Sequence, residues 1–312
     1  MAKHTNHAKK IDYKEKMRET LQTILELQDL DEIRNWFSGI AHLMQFGRNY
    51  STNNLLLVHA QKREAIWTEG FQAWKTKYRR FVQKGERGLL IFAPIPVKAN
   101  QEDAGLEVHG DGEEDKEKRF VLFKPVYVWD YSQTRGDRVA VIETMLEKRN
   151  NAKRKLYATN GENLERLSAA MTALIEARGI EITHQDLGSA GGMARGKTIY
   201  IDQAFAAGAD LGLLIHEFAH VILGHTDQKT DRIDAELEAE LTVGLVKSGL
   251  GLDIQSQAAY LYNWSRDVNP GLREEKFLNA FKYSQPLASE ILNHLNAAVA
   301  GEDEESDTVI AA

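Results

Sequence analysis

The sequence predicts an α+β chain of two domains: an α+β N-terminal unit over residues 1–140, and a mostly helical C-terminal unit with a small sheet over residues 141–300. Three observations lead there. A length of 312 residues suggests about two domains. A hydrophobic content of 43% with 27% charged residues is ample for packed cores. Apolar residues recur at helical spacing through most of the chain, while only residues 89–92, 119–128, 180–183 and 198–202 read as strands. No apolar run is long enough to span a bilayer, and residues 1–16 are polar and basic, without the apolar stretch of a secretory signal. There is no cysteine, so disulfides are excluded and a reducing cytoplasm is expected. Any bound metal would have to be held by histidine and carboxylates.

Residues 1–10 are expected to be disordered. Residues 14–28 read as a helix, with Met17, Leu21, Ile24 and Leu25 on one stripe. A second helix is expected over 31–46, with Asp31 and Glu32 in its first turn, and a third over 52–61 with Ser51 as N-cap. Next come Trp67, Phe71, Trp74 and Tyr78, interleaved with Lys75, Lys77, Arg79 and Arg80, then the basic turn Lys84-Gly85-Glu86-Arg87-Gly88. Two strands, 89–92 and 119–128, should pair across residues 98–118, which read as a long, flexible acidic loop. The net charge of −7 hides an asymmetry: eight acids crowd between Glu102 and Glu117, and the rest of the first half is basic. Interleaved rings and bases suit a single-stranded nucleic acid, whose bases stack on rings while phosphates meet Lys or Arg. Trp67, Phe71 and Trp74 also fall at near-helical spacing and would serve equally as core.

The segment 135–155 is polar and charged around an apolar patch, and the domain boundary is placed within it. Asn160 should cap a helix over 161–178 that ends at Gly179, followed by a short strand. Residues 188–196 are Gly-rich but lack phosphate-loop spacing, and read as a hairpin into Thr198-Ile199-Tyr200-Ile201-Asp202. That strand immediately precedes the next helix.

The apolar run 211–223 contains His216-Glu217-Phe218-Ala219-His220. On a helix the two histidines lie about 40° apart and make half of a tetrahedral metal site. Glu217 beside them can act as general base, the H-E-x-x-H metalloprotease pattern. The alternative is a buried helix with two hydrogen-bonded histidines. A third histidine is sought first at His225, but it stands at +5 from His220, where the three-histidine pattern needs +6. The next helix, 231–247, offers Glu236 and Glu240 on one face. Glu236 is assigned as third ligand and Glu240 as the acceptor that orients a ligand histidine, with Glu238 turned to solvent. Such a His2Glu set suits Zn2+ and admits Mn2+. Tyr200 and His225 are candidates for a second oxyanion donor. Three further helices are expected over 252–267, 271–283 and 287–299, then a disordered acidic tail, 301–312.

Asn49-Tyr50-Ser51-Thr52-Asn53-Asn54-Leu55-Leu56-Leu57 resembles the N-terminal domain of ArdC-type antirestriction proteins. So do Gly70-Phe71-Gln72-Ala73-Trp74, the basic turn 84–88, and Val128-Trp129-Asp130-Tyr131-Ser132-Gln133-Thr134. The resemblance implies sequence-independent binding of single-stranded DNA. Tyr50, Asn53, Asn54, Trp74, Lys75, Arg79, Lys84 and Arg87 are the candidate contacts. The H-E-x-x-H helix, followed by Glu236, Ala239 and Glu240, resembles the zincin domain of the ImmA/IrrE metallopeptidases and the C-terminal domain of ArdC. The resemblance to zincins implies that the preceding strand, 198–202, walls a cleft and can pair with extended substrate. The resemblance therefore implies an antirestriction protein that protects incoming mobile-element DNA and carries a zinc metallopeptidase domain acting on a protein substrate it does not name. A repressor-cleaving protease and a metal-stabilised DNA-binding scaffold are the alternatives.

Overall fold

The computed structural model describes residues 12–27, 29–46, 50–96, 121–144, 146–147, 161–205, 211–226 and 231–300. The expected disorder of 1–10 and 301–312, the acidic loop 98–118 and the cap at Asn160 lie outside them. The first three helices are α1 (Tyr13–Leu25), α2 (Leu30–Phe46) and α3 (Thr52–Gln61). Asp12 and Ser51 cap α1 and α3 by accepting bonds from the backbone N–H groups of their first turns.

A three-stranded antiparallel sheet follows, in the order β1 (Thr68–Gly70), β4 (Val121–Asp130), β3 (Leu89–Pro96). α4 (Phe71–Tyr78) and β2 (Arg80–Val82) run between β1 and β3, and β2 pairs with β5 (Thr134–Gly136), which follows β4. Asp130, fully buried, ties the corner together. Its carboxylate accepts from the backbone N–H groups of Ile66 (2.7 Å), Trp67 (3.0 Å) and Ser132 (2.9 Å).

The C-terminal half has α5 (Gly161–Ala177) and a second sheet ordered β6 (Glu181–Gln185), β8 (Thr198–Asp202), β7 (Gly192–Arg195). β8 is parallel to β6 and antiparallel to β7. Four helices complete the chain: α6 (Leu211–Ile222), α7 (Arg232–Leu250), α8 (Gln255–Asp267) and α9 (Pro270–Ala300).

α9 corrects the expectation of two helices with a gap over 284–286, which holds Pro286. Proline removes one backbone donor and crowds the preceding turn, at about 3 kcal/mol. Residues 287–295 nonetheless continue the helix, because Leu287, Ile291, Leu292 and Leu295 are buried on the far side of the proline. Burying such side chains is worth about 1.5–3 kcal/mol each. Ser284 Oγ sits 2.8 Å from the carbonyl oxygens of both Ala280 and Glu238, pinning the proline turn to α7.

One buried cluster runs through both halves, from Met17 to Leu295. The Phe37 ring lies against Gly244 of α7, where a Cβ would come within 2.5 Å of it. Trp36 packs against Phe277 and Phe281 of α9 with ring centroids 5.7 and 5.8 Å away. Gln45 Nε2 donates to the Gly249 carbonyl at 2.9 Å. The helices of the N-terminal half are thus seated on the two helices that support the histidine pair.

Candidate metal centre and the aromatic face

α6 is apolar nearly all round and buries Leu214, Ile215, Phe218 and Ala219, which leaves His216 and His220 on the strip facing α7. Both rings present Nε2 to one point. The two Nε2 atoms are 3.0 Å apart, and Glu236 Oε2 and Oε1 lie 3.5 and 3.9 Å from them. These three side chains are the group, among the described residues, whose ligand atoms all fall within 4.8 Å of one another. Bonds of about 2.0–2.1 Å to a tetrahedral ion set its ligand atoms about 3.3 Å apart, so the donor set fits one divalent ion.

Burial disfavours the His216 imidazolium, but hydrogen bonds to Glu236 and Glu240 outweigh it and raise its pKa to about 10. Burial and the neighbouring His216 push His220 down to about 4. The cluster therefore keeps one positive charge between two carboxylates, and a metal ion would take the place of that proton.

Behind the ligand atoms, His216 Nδ1 is 3.3 Å from Glu240 Oε1, whose other oxygen accepts from Gln257 Nε2 at 3.1 Å. Behind His220, Nδ1 is 2.9 Å from His225 Nδ1, and His225 Nε2 is 2.9 Å from Glu238 Oε2. Glu238 is therefore not turned to solvent. The chain bends back after α6 at Gly224 (φ +77°), where the His225 N–H bonds the His220 carbonyl at 2.9 Å, and this brings an imidazole over the flank of α7. With both ring nitrogens engaged, His225 is not free to serve as an oxyanion donor.

Glu217 is buried at 6% exposure. Its carboxyl is pushed up to about 7 by burial, with His216 pulling the other way, and it accepts the backbone N–H of Ala194. A Cβ at Gly192 would lie 2.9 Å from Glu217 Oε1 and 2.8 Å from Leu213 Cδ1, so glycine is what lets the strand come this close. The cleft wall is thus β7. The expectation that β8 would pair with substrate is corrected: β8 is the central strand, hydrogen-bonded on both edges, while β7 is an edge strand among the described residues. Tyr260 on α8, missed in the sequence, stands in the field of the site: burial, then Glu236 and Glu240, raise its phenol to about 12.

The N-terminal candidates divide into scaffold and surface. Trp74 is fully buried and donates Nε1–H to the Trp129 carbonyl at 2.8 Å. Asn54 makes two bonds at 2.9 Å to the Phe92 backbone. Neither can reach a ligand, because each spends its polar atoms inside the fold. Tyr50 and Asn53 hydrogen-bond Thr68 and Tyr13 respectively. Lys75, Arg79, Lys84 and Arg87 are exposed, Arg79 in the left-handed conformation (φ 52°) that ends α4. The exposed rings are others: Phe71 (51%), Phe81 (58%), Phe123 (50%) and Tyr127 (50%). Phe71 meets the Trp129 ring at 5.6 Å. Gly88, at the end of the basic turn, leaves room for Tyr127 and Trp129, whose atoms would lie 2.8 and 3.0 Å from a Cβ there. Gln133 Nε2 holds the same turn by bonds of 2.9 Å to Glu86 and to the Arg87 carbonyl.

Residues 12–129 match the family described as the N-terminal domain of the anti-restriction factor ArdC. The N-terminal half carries the ArdC N-terminal domain. No curated protein matches the sequence. The fold is similar to the metal-free crystal structure of the antirestriction ArdC protein from plasmid R388, with a TM-score of 0.52 and 20% identity over 91% of this chain and 97% of that one. The Mn(II)-bound structure of the same protein matches with a TM-score of 0.52 and 18% identity over 93% and 99%. The ArdC-like architecture therefore extends through the helical C-terminal half as well.

Proposed function

We propose that this ArdC-type chain protects incoming mobile-element DNA in the cytoplasm, binding single-stranded DNA through its N-terminal half and hydrolysing a peptide bond at a metal held by His216, His220 and Glu236. One observation carries the catalytic part: three ligand atoms converge between α6 and α7 with a buried carboxylate, Glu217, directly beside them. A scaffold needs the ligands but not the base. The relative from R388 has been crystallised with Mn(II), which agrees with a divalent ion here; Zn2+ and Mn2+ both suit the donor set. No helix among the described residues is long and apolar enough to cross a membrane.

When bound, such an ion polarises a carbonyl and acidifies water. His216 and His220 would hold it through Nε2 and Glu236 through a carboxylate oxygen. Glu217, with its pKa near 7, is matched to taking a proton from the attacking water and delivering it to the leaving amine. The Ala194 N–H holds that carboxylate against β7. As an edge strand among the described residues, β7 offers backbone groups to an extended peptide. Tyr260, kept protonated by burial and by the charges of Glu236 and Glu240, is the candidate donor to developing negative charge.

For DNA, Phe71, Phe81 and Tyr127 supply exposed ring faces, and Lys75, Lys84, Arg87, Lys124 and Arg135 supply exposed charge around them. The test uses the whole chain. Binding of a fluorescent oligo(dT) is followed by anisotropy across salt, alongside metal stoichiometry. Tight binding that falls steeply with salt, plus about one metal per chain lost in His216→Ala, is the expected result. Binding that is absent or flat in salt removes the DNA reading; full metal content in His216→Ala removes the metal reading.

A further inference from the structure

The two ligand histidines are supported differently. His216 Nδ1 faces a carboxylate, Glu240, directly. His220 Nδ1 faces a second imidazole, and only behind that a carboxylate, Glu238. We infer that Glu238 and His225 are positioning residues that act through His220, fixing its tautomer and ring plane so that Nε2 is free to ligate. The inference rests on the metal-site reading above.

The argument is a proton count along one chain of atoms. For His220 Nε2 to offer its lone pair, the ring proton must sit on Nδ1. That N–H points at His225 Nδ1, 2.9 Å away, which must then be bare. The His225 proton is therefore on Nε2, where it donates to the Glu238 carboxylate at 2.9 Å. The opposite arrangement puts a bare Nε2 lone pair against a carboxylate that can only accept, which is repulsive. Glu238 thus selects the tautomer of His225, and His225 selects that of His220. Burial enforces the selection: the His225 side chain is 4% exposed and Glu238 13%, so water does not readily substitute for either bond. Neither residue reaches the ion or the reacting atoms. A second carboxylate flank of α7 therefore serves the second histidine, while Glu236 and Glu240 serve the site from the face beside it.

The experiment is Co2+ binding to the full-length protein by chelator competition, with the visible spectrum of the bound Co2+ and the melting temperature of the metal-free protein recorded for each variant. His225→Leu keeps apolar volume and removes both bonds. His225→Gln and Glu238→Gln each retain an oxygen acceptor at the right place in the chain. Expected is a loss of about 10–100-fold in Co2+ affinity with an altered spectrum in His225→Leu. His225→Gln and Glu238→Gln should fall between it and the wild type. Should His225→Leu unfold, the two glutamine variants and Glu238→Ala carry the same comparison. Wild-type affinity and spectrum in His225→Leu or Glu238→Ala overturns the inference and leaves the metal site standing. A wild-type protein that binds no Co2+ at all removes the metal-site reading and this inference with it.

Discussion

The metal centre and the aromatic face differ in how each is assembled. The candidate centre is built from two helices, and its side chains sit at spacings that one helix dictates: His216 and His220 are four positions apart, as are Glu236 and Glu240, the acceptor behind His216. The face is built from a helix, a basic turn and a strand that come together only through sheet pairing, with Phe71, Gly88 and Tyr127 meeting around Trp129. A site written along one element can be read from the chain. A site written across elements needs the register.

The sharpest way to break this division is to remove catalysis without touching the fold. Glu217→Gln should lower peptide hydrolysis by about 10²–10⁴-fold, while metal content by elemental analysis and oligo(dT) affinity stay at the wild-type value. An equal loss of DNA affinity would mean that the two regions are one site. Next in size, Phe37→Ala should cost about 3–5 kcal/mol in urea unfolding, because it empties the seat against Gly244 and loosens both halves together. A separate transition confined to one half would show instead that the shared core is not cooperative.

Gly192→Ala probes the approach of β7. The added methyl collides with Glu217 and Leu213, and displacement of the base by about an ångström should cost about 10²-fold in turnover with metal affinity unchanged. Metal binding should also respond to pH. His216 holds its proton up to about 10. Below that value an incoming ion must expel the proton, so affinity should rise about tenfold per pH unit between pH 6 and 8, with one proton released. Affinity that is level over this range would show that the metal-free site is already deprotonated. The smallest effects belong to the face: Phe71→Ala and Tyr127→Ala should each weaken oligo(dT) binding by about 1–3 kcal/mol, whereas the buried Trp74 should matter to stability alone.

Much of this was legible in the chain. The helices α1 to α3, the pairing of β3 with β4 and the histidine helix all follow from apolar period and from caps such as Ser51. What was not legible has physical causes. Trp74 and Asn54 look like ligand-facing side chains, but burial decides otherwise, and burial depends on β3 and β4 closing over them. Glu238 stands well away from Glu236 around α7 and reads as solvated. Only the left-handed bend at Gly224 brings His225 to it. β8 reads as the cleft wall because it immediately precedes the histidine helix, as the wall strand does in zincins. The wall is the shorter β7, whose Gly192 and Ala194 have no side-chain signature and act through what they lack and through a backbone N–H. Residues 284–286 read as a gap between two helices, yet apolar burial on both sides of Pro286 makes them one.

The hydrogen bond from Gln45 to Gly249 spans 204 positions of chain. α2 therefore leaves the ribosome long before the helix that receives it. At about 5–20 residues per second, the delay is about 10–40 s. Throughout that interval Phe37 and Ile40, both fully buried in the finished protein, have no α7 to cover them. The nascent first half is accordingly expected to keep this apolar helix face uncovered until α7 is made. Slowing elongation between codons 46 and 244 should reduce the soluble yield of this protein more than slowing it after codon 250.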